Sequence, residues 1–84
     1  MPRYHFHIHD GRTIIDTDGL ELADAAQARR MAIRISGQYF EDEADLIALG
    51  EEWRMEVTDA RGLILFRLDF VVTSAAAVGD SVQA

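Results

Sequence analysis

The sequence predicts one small α+β domain of ββαββ form: a four-stranded antiparallel sheet with a single helix packed on one face. Three observations predict it. RYHFHIH near the start and WRMEV and LILFRLDF near the end alternate with the period of a strand. The stretch between them is apolar at helical spacing. Acid-glycine pairs punctuate the chain where hairpins must turn.

From Arg3 to His9, Tyr4, Phe6 and Ile8 point one way and His5, His7 and His9 the other. Asp10-Gly11 is a turn signal, because glycine accepts the positive φ of a tight hairpin. A short second strand, Thr13 to Asp16, folds back on the first, and Asp18-Gly19 ends it. The DTDG stretch also echoes the start of a calcium loop. It lacks the third acidic ligand and the distal glutamate of such a loop, so a turn explains it better.

Asp24 is suited to cap a helix, with Gln27 three residues on as in a capping box. The helix runs from Ala25 to about Asp42, with Gly50 as the latest stop. Ala28, Met31, Ala32, Ile35 and Tyr39 form its apolar stripe, and Ile33 and Phe40 widen the arc. Trp53, Met55 and Val57 alternate with Glu52, Arg54 and Glu56 in a third strand, and Asp59 to Gly62 make a hairpin connection. The fourth strand places Ile64, Phe66, Leu68, Phe70 and Val72 on one face, and Leu63, Leu65, Arg67, Asp69 and Val71 on the other.

Short hairpins pair the first strand with the second and the third with the fourth, giving the order 2-1-3-4. One face then collects Tyr4, Phe6, Ile8, Trp53, Met55, Val57, Ile64, Phe66, Leu68 and Phe70 under the helix. Each large side chain, fully buried, contributes about 1.5 to 3 kcal/mol, most of it offset by chain entropy. Residues 1–73 make a single domain, and 74–84 are expected to be a flexible tail.

At 84 residues the chain has no room for a second core, and its stability is expected to be modest. It has no cysteine, so disulfides and thiolate metal sites are excluded, and a reducing cytoplasm suits it. Fifteen acids stand against eight arginines, for a net charge of −7. That charge repels a phosphate backbone and favours a basic protein partner. The opening lacks the apolar core of a signal peptide, and no apolar stretch reaches membrane-helix length. The expectation is a cytoplasmic protein that binds neither nucleic acid nor membrane.

The sheet face away from the helix is the candidate site. It carries His5, His7 and His9 beside Glu52, Arg54 and Glu56, with Leu63, Leu65 and Val71 on the last strand. The first reading is a solvated face of mixed charge. The second is a partner-binding face, since the fourth strand is apolar on both sides. The third is a metal site, for which His5 and His9 lie about 13 Å apart along a strand. Only two histidines could then share an ion, with Glu52 or Glu56 as third ligand. No phosphate loop, nucleophile elbow or catalytic triad is evident, and no cofactor or enzymatic activity is expected.

The opening MPRYHFHIHDG, the DTDGLEL turn, the ADAAQARRMA helix start and EEWRMEVTDARGLILF resemble a family of short alphaproteobacterial proteins of unknown function. The resemblance spans Met1 to about Val72 and implies a small α+β fold without an established activity. In that family the positions of His5 and His7 accept Phe, Asp or His, which weakens a family-wide metal reading. A looser likeness, to HicB-type antitoxins, implies an acidic partner for a small basic toxin. The leading functional expectation is a non-enzymatic interaction module that forms a homodimer; an antitoxin-like or regulatory partner of a basic protein stands second, and a His-dependent metal-binding protein third.

Overall fold

The computed structural model describes residues 1–47 and 50–75. Its strands are β1 (Arg3–His9), β2 (Thr13–Ile14), β3 (Leu20–Glu21), β4 (Glu52–Thr58) and β5 (Ile64–Val71). Among the described residues, one helix, α1 (Ala25–Asp42), and a 3-10 turn (Ala44–Leu46) separate β3 from β4. The sheet is antiparallel in the order β2-β1-β4-β5, with β3 also paired to β1. This is the α+β architecture and strand order that the alternation predicts.

The expected second strand divides in two. Ile8 and His9 pair with Ile14 and Thr13, while Arg3 and Tyr4 pair with Glu21 and Leu20. Between them the chain leaves the ladder after Ile14, bends through Thr17 and Asp18 and rejoins it at Leu20. Gly19 has φ +68°, and a Cβ there would stand 2.7 Å from the Tyr4 carbonyl oxygen. Only glycine allows that approach.

Asp24 caps α1 by accepting the Gln27 N–H at 2.9 Å. Gln27 reaches back one residue beyond the cap, its Oε1 accepting the Ala23 N–H at 2.6 Å. Ala28, Ala32 and Ser36, at successive i+4 positions, are the buried residues of the helix. Their small side chains let it settle on β4, where Met55 and Val57 are fully buried. Ser36 Oγ donates to Met55 Sδ at 3.8 Å. Leu22 joins this core, and Ile8, Met31, Ile35, Tyr39, Phe40, Phe66, Leu68 and Phe70 pack around it.

Two expected core residues are outside. Ile33 is 52% exposed, because the narrow alanine and serine seam leaves its position off the contact face. Ile64 is also 52% exposed, and a register shift is the reason. Val57 pairs with Phe66, but Thr58 pairs with Ile64, so Leu65 is the extra residue of a β-bulge. Ile64 then lies opposite Thr58, on the face away from the helix. Of the expected tail, 76–84 lies outside the described residues.

Trp53 is 3% exposed and meets Phe40 edge-on at 4.6 Å between centroids, with Phe40 stacked on Phe70 at 4.1 Å. This cluster pins the C-terminal half of α1 to β4 and β5. Trp53→Ala is expected to cost about 3 to 5 kcal/mol in chemical denaturation. A loss below about 1 kcal/mol would mean that the cluster contributes little.

Candidate functional site

The outer face of the sheet is laid out in rows by the β1–β4–β5 register. His5 lies opposite Thr58 and Ile64, His7 opposite Glu56 and Arg67, and His9 opposite Arg54 and Asp69. All three histidines are partly buried. Glu52 falls beyond the β1 ladder and pairs only with Val71, so the structure does not bring it to the histidines. Thr58, unremarkable in sequence, is buried among them.

The imidazole partners assign the ring protons. Asp16 N–H donates to His7 Nδ1 at 3.1 Å, so the His7 hydrogen sits on Nε2 and donates to Thr58 Oγ1 at 3.2 Å. His5 Nδ1–H donates to the Asp16 carbonyl oxygen at 2.9 Å. His9 Nε2–H donates to Glu56 Oε1 at 2.9 Å, leaving Nδ1 to accept from the Thr13 hydroxyl at 3.1 Å. Glu56 Oε2 stands 3.5 Å from Arg54 Nε, so one carboxylate serves both a histidine and a guanidinium. His5 and His7 stack with centroids 6.1 Å apart. Each ring thus ties β1 to a neighbouring segment.

Asp16 organises the gap between β2 and β3. Its Oδ2 accepts the Phe6 N–H at 3.1 Å, and Oδ1 accepts the Asp18 and Gly19 N–H groups at 3.2 and 3.0 Å. Through its backbone it also engages His5 and His7. The side chain therefore replaces the ladder bond that β1 would otherwise lack at Phe6. Burial alone would raise its pKa, but those three N–H donors and nearby His5 outweigh it and hold the carboxyl below its usual value. The DTDG spelling carried the turn but gave no sign of the bond to Phe6, which depends on how β1 lies beside it.

Among the described residues, no three His, Asp or Glu side chains converge to hold a metal ion, and no helix is long and apolar enough to cross a membrane. On the outer face of β5, Leu65 and Val71 are exposed at 39 and 48%, and the bulge brings Ile64 to the same face. The same shift removes the alternation that put Leu63 there: it precedes β5 and is 63% exposed.

A second concavity, of about 530 Å³, opens beside the β1–β2 turn, the end of α1 and the start of β4. Asp10, Tyr39 and Trp53 line it, with Glu43, Glu51, Glu52 and Arg12 around them. The Tyr39 hydroxyl donates to Asp10 Oδ2. That bond, and burial after it, hold the phenol above its usual pKa.

Comparison with known proteins gives a match over residues 3–71 to a domain of unknown function, DUF6894. The chain belongs to this family. No curated protein and no solved structure matches it. The matched span of the DUF6894 domain begins at β1 and ends with β5, so it takes in the histidine face, Asp16, the concavity and the bulged edge.

The lowered pKa of Asp16 links it to a pH-dependent contribution to the stability of this chain. Its folded-state pKa lies below the unfolded value, so its contribution is complete above about pH 4 to 5 and is lost as pH falls through the folded value. Asp16→Ala is expected to cost about 2 kcal/mol at pH 7, a figure kept low because the bond to the Asp18 amide is exposed to solvent. In urea denaturation as a function of pH, the gap between wild type and variant should narrow toward pH 3. A gap independent of pH would show that the charge on Asp16 does not stabilise the fold.

Proposed function

We infer that this DUF6894 domain is a non-enzymatic protein-interaction module that works as a homodimer, joined by antiparallel pairing of β5 with β5 of a second copy. The observation that carries this reading is the self-complementary pattern of the β5 edge. β5 ends the sheet with one side unpaired among the described residues. Such an edge is a template for another strand unless charge or covering blocks it.

Pairing about a two-fold axis at Leu68 sets Arg67 against Asp69 of the second copy, and Leu65 against Val71. Opposite charges thus meet opposite charges, and apolar residues meet apolar ones. Within one chain Arg67 Nε and Asp69 Oδ2 are 3.1 Å apart, so the charges already lie together on the outer face. Leu63, Ile64, Leu65, Val71 and Val72, all exposed in one copy, would be drawn to the joint. The histidine face argues against a reacting centre there, because both ring nitrogens of His7 and of His9, Nδ1 of His5 and Oε1 of Glu56 hold bonds within the domain.

A second reading, an acidic or regulatory partner that neutralises a basic protein in the manner of HicB-type antitoxins, is supported by the net charge of −7 and by the acidic concavity.

Sedimentation at micromolar to high-micromolar concentration tests the dimer. Arg67→Asp alone places like charges across the axis and is expected to weaken association by about tenfold or more. The double reversal Arg67→Asp with Asp69→Arg should restore it, and Leu65→Arg should abolish it. A wild-type protein that stays monomeric throughout, or a double reversal no better than the single one, would contradict the reading.

A further inference from the structure

We propose that the solvent side of α1, at Arg29, Arg30, Ile33, Arg34 and Gly37, docks an acidic helix of a partner protein. The surface lies on the helix, apart from the β5 edge, and its test does not depend on dimerisation.

The isolated domain has no use for what stands there. All five residues are exposed. Of the eight arginines, Arg3, Arg12, Arg54 and Arg67 lie in ion pairs, whereas Arg29, Arg30 and Arg34 make none among the described residues. Arg30 and Arg34, four residues apart, repel each other along one row of the helix. Ile33 leaves 52% of its surface to water. Gly37 stands in the interior of α1, where glycine is the poorest helix former after proline, and a Cβ there would meet open space. Alanine would fit and strengthen the helix. Each of these features weakens α1 alone, and each becomes useful against a second surface.

Their spacing describes that surface. Ile33 follows Arg29 by four residues and Arg30 by three, and precedes Gly37 by four, so all three are its neighbours on the helix. Arg34 extends the Arg30 row by one turn. An apolar anchor is thus flanked by guanidiniums on one side and by a notch without a side chain on the other. A partner helix with an apolar residue between acidic residues three and four positions away fits this pattern. Its carboxylates pair with the guanidiniums, whose planar forks can take both oxygens. Its apolar residue covers Ile33, and its backbone closes in at Gly37.

The rest of the chain favours a short acidic segment over an extended polyanion. The three arginines span about one and a half turns, roughly 8 Å. Glu41, Asp42 and Glu43 begin about 10 Å beyond Arg34 along the same helix. Elsewhere the chain holds five arginines against fifteen acids. A nucleic-acid strand or an anionic membrane that reached the arginines would meet those acids too. Nor does a row of phosphates cover Ile33.

The probe is a capped, fluorescein-labelled, alanine-based peptide in which one leucine has glutamates three and four residues away on either side. Its binding to the full chain is followed by anisotropy, beside a glutamine counterpart, a labelled oligothymidylate and labelled phosphatidylserine vesicles. The glutamate peptide should bind saturably, and more weakly as salt rises. The glutamine peptide should bind about tenfold more weakly or worse. Arg30→Gln should weaken binding about fivefold, whereas Arg61→Gln, which removes the same charge from the β4–β5 hairpin, should change it by less than about twofold. Gly37→Gln separates docking from stability: it should raise the melting temperature, since glutamine favours a helix more than glycine, yet weaken binding about fivefold. The proposal is overturned by no saturable binding up to millimolar protein, by equal affinity for the glutamine peptide, or by equal losses in Arg30→Gln and Arg61→Gln. Tighter binding of the oligothymidylate or the vesicles than of the glutamate peptide would overturn it in favour of a polyanion. Undiminished binding to Gly37→Gln would overturn it too, because no helix would then close on α1.

Discussion

The carboxylate of Asp16 is the constraint on which the sheet depends. β1 is the central strand, yet the chain returning along its outer side touches it only at the two ends, at Ile8 and His9 and at Arg3 and Tyr4. Asp16 fills the interval by accepting the Phe6 N–H while closing its own turn through Asp18 and Gly19. Phe6 and Tyr4 are buried beneath that interval, so the clamp holds the strand that anchors the core. Gly19 and Asp16 form one device: the glycine lets the turn approach the Tyr4 carbonyl, and the aspartate satisfies the amides that the turn leaves open.

The histidines that first suggest chemistry belong to the same device. His5 and His7 engage the Asp16 backbone from either side, and His9 reaches Thr13 and Glu56. An imidazole suits this work because one ring offers a donor and an acceptor on opposite edges. Three of them on alternate residues of β1 stitch it to β2, to the Asp16 turn and to β4. Among the described residues, what the fold leaves unfinished is the unpaired edge of β5, Asp10 Oδ1, and Arg54 Nε on the histidine face itself, buried without a hydrogen bond.

The parts legible in the sequence are those set by periodicity. Alternation along β1 and β4 and the helical spacing of Ala28, Met31, Ala32, Ile35 and Tyr39 follow from strand and helix geometry. So α1 begins at its Asp24 cap and ends at Asp42, though Ser36 joins the buried seam without having stood in that stripe. What escaped depends on contacts between distant residues. Strict alternation puts Ile64 in the core, and the bulge at Leu65, a property of the pairing with β4, turns it outward. Glu52 reads as a neighbour of the histidines until the register ends β1 at His9, opposite Arg54. A run of four residues such as DTDG announces a turn, but not that one of its carboxylate oxygens belongs to Phe6. The concavity has no local spelling at all, since Asp10, Tyr39 and Trp53 meet only when β1, α1 and β4 are assembled.

Amide hydrogen exchange at Phe6, followed by NMR near neutral pH, tests the Asp16 clamp most directly. With the carboxylate in place the Phe6 N–H should exchange only through large-scale opening, at a rate close to that of the β1–β4 ladder amides. In Asp16→Ala it should exchange far faster, while the β4–β5 ladder keeps its protection. A Phe6 amide that exchanges as fast as an open loop in the wild type, or one whose protection survives in Asp16→Ala undiminished, would contradict the account.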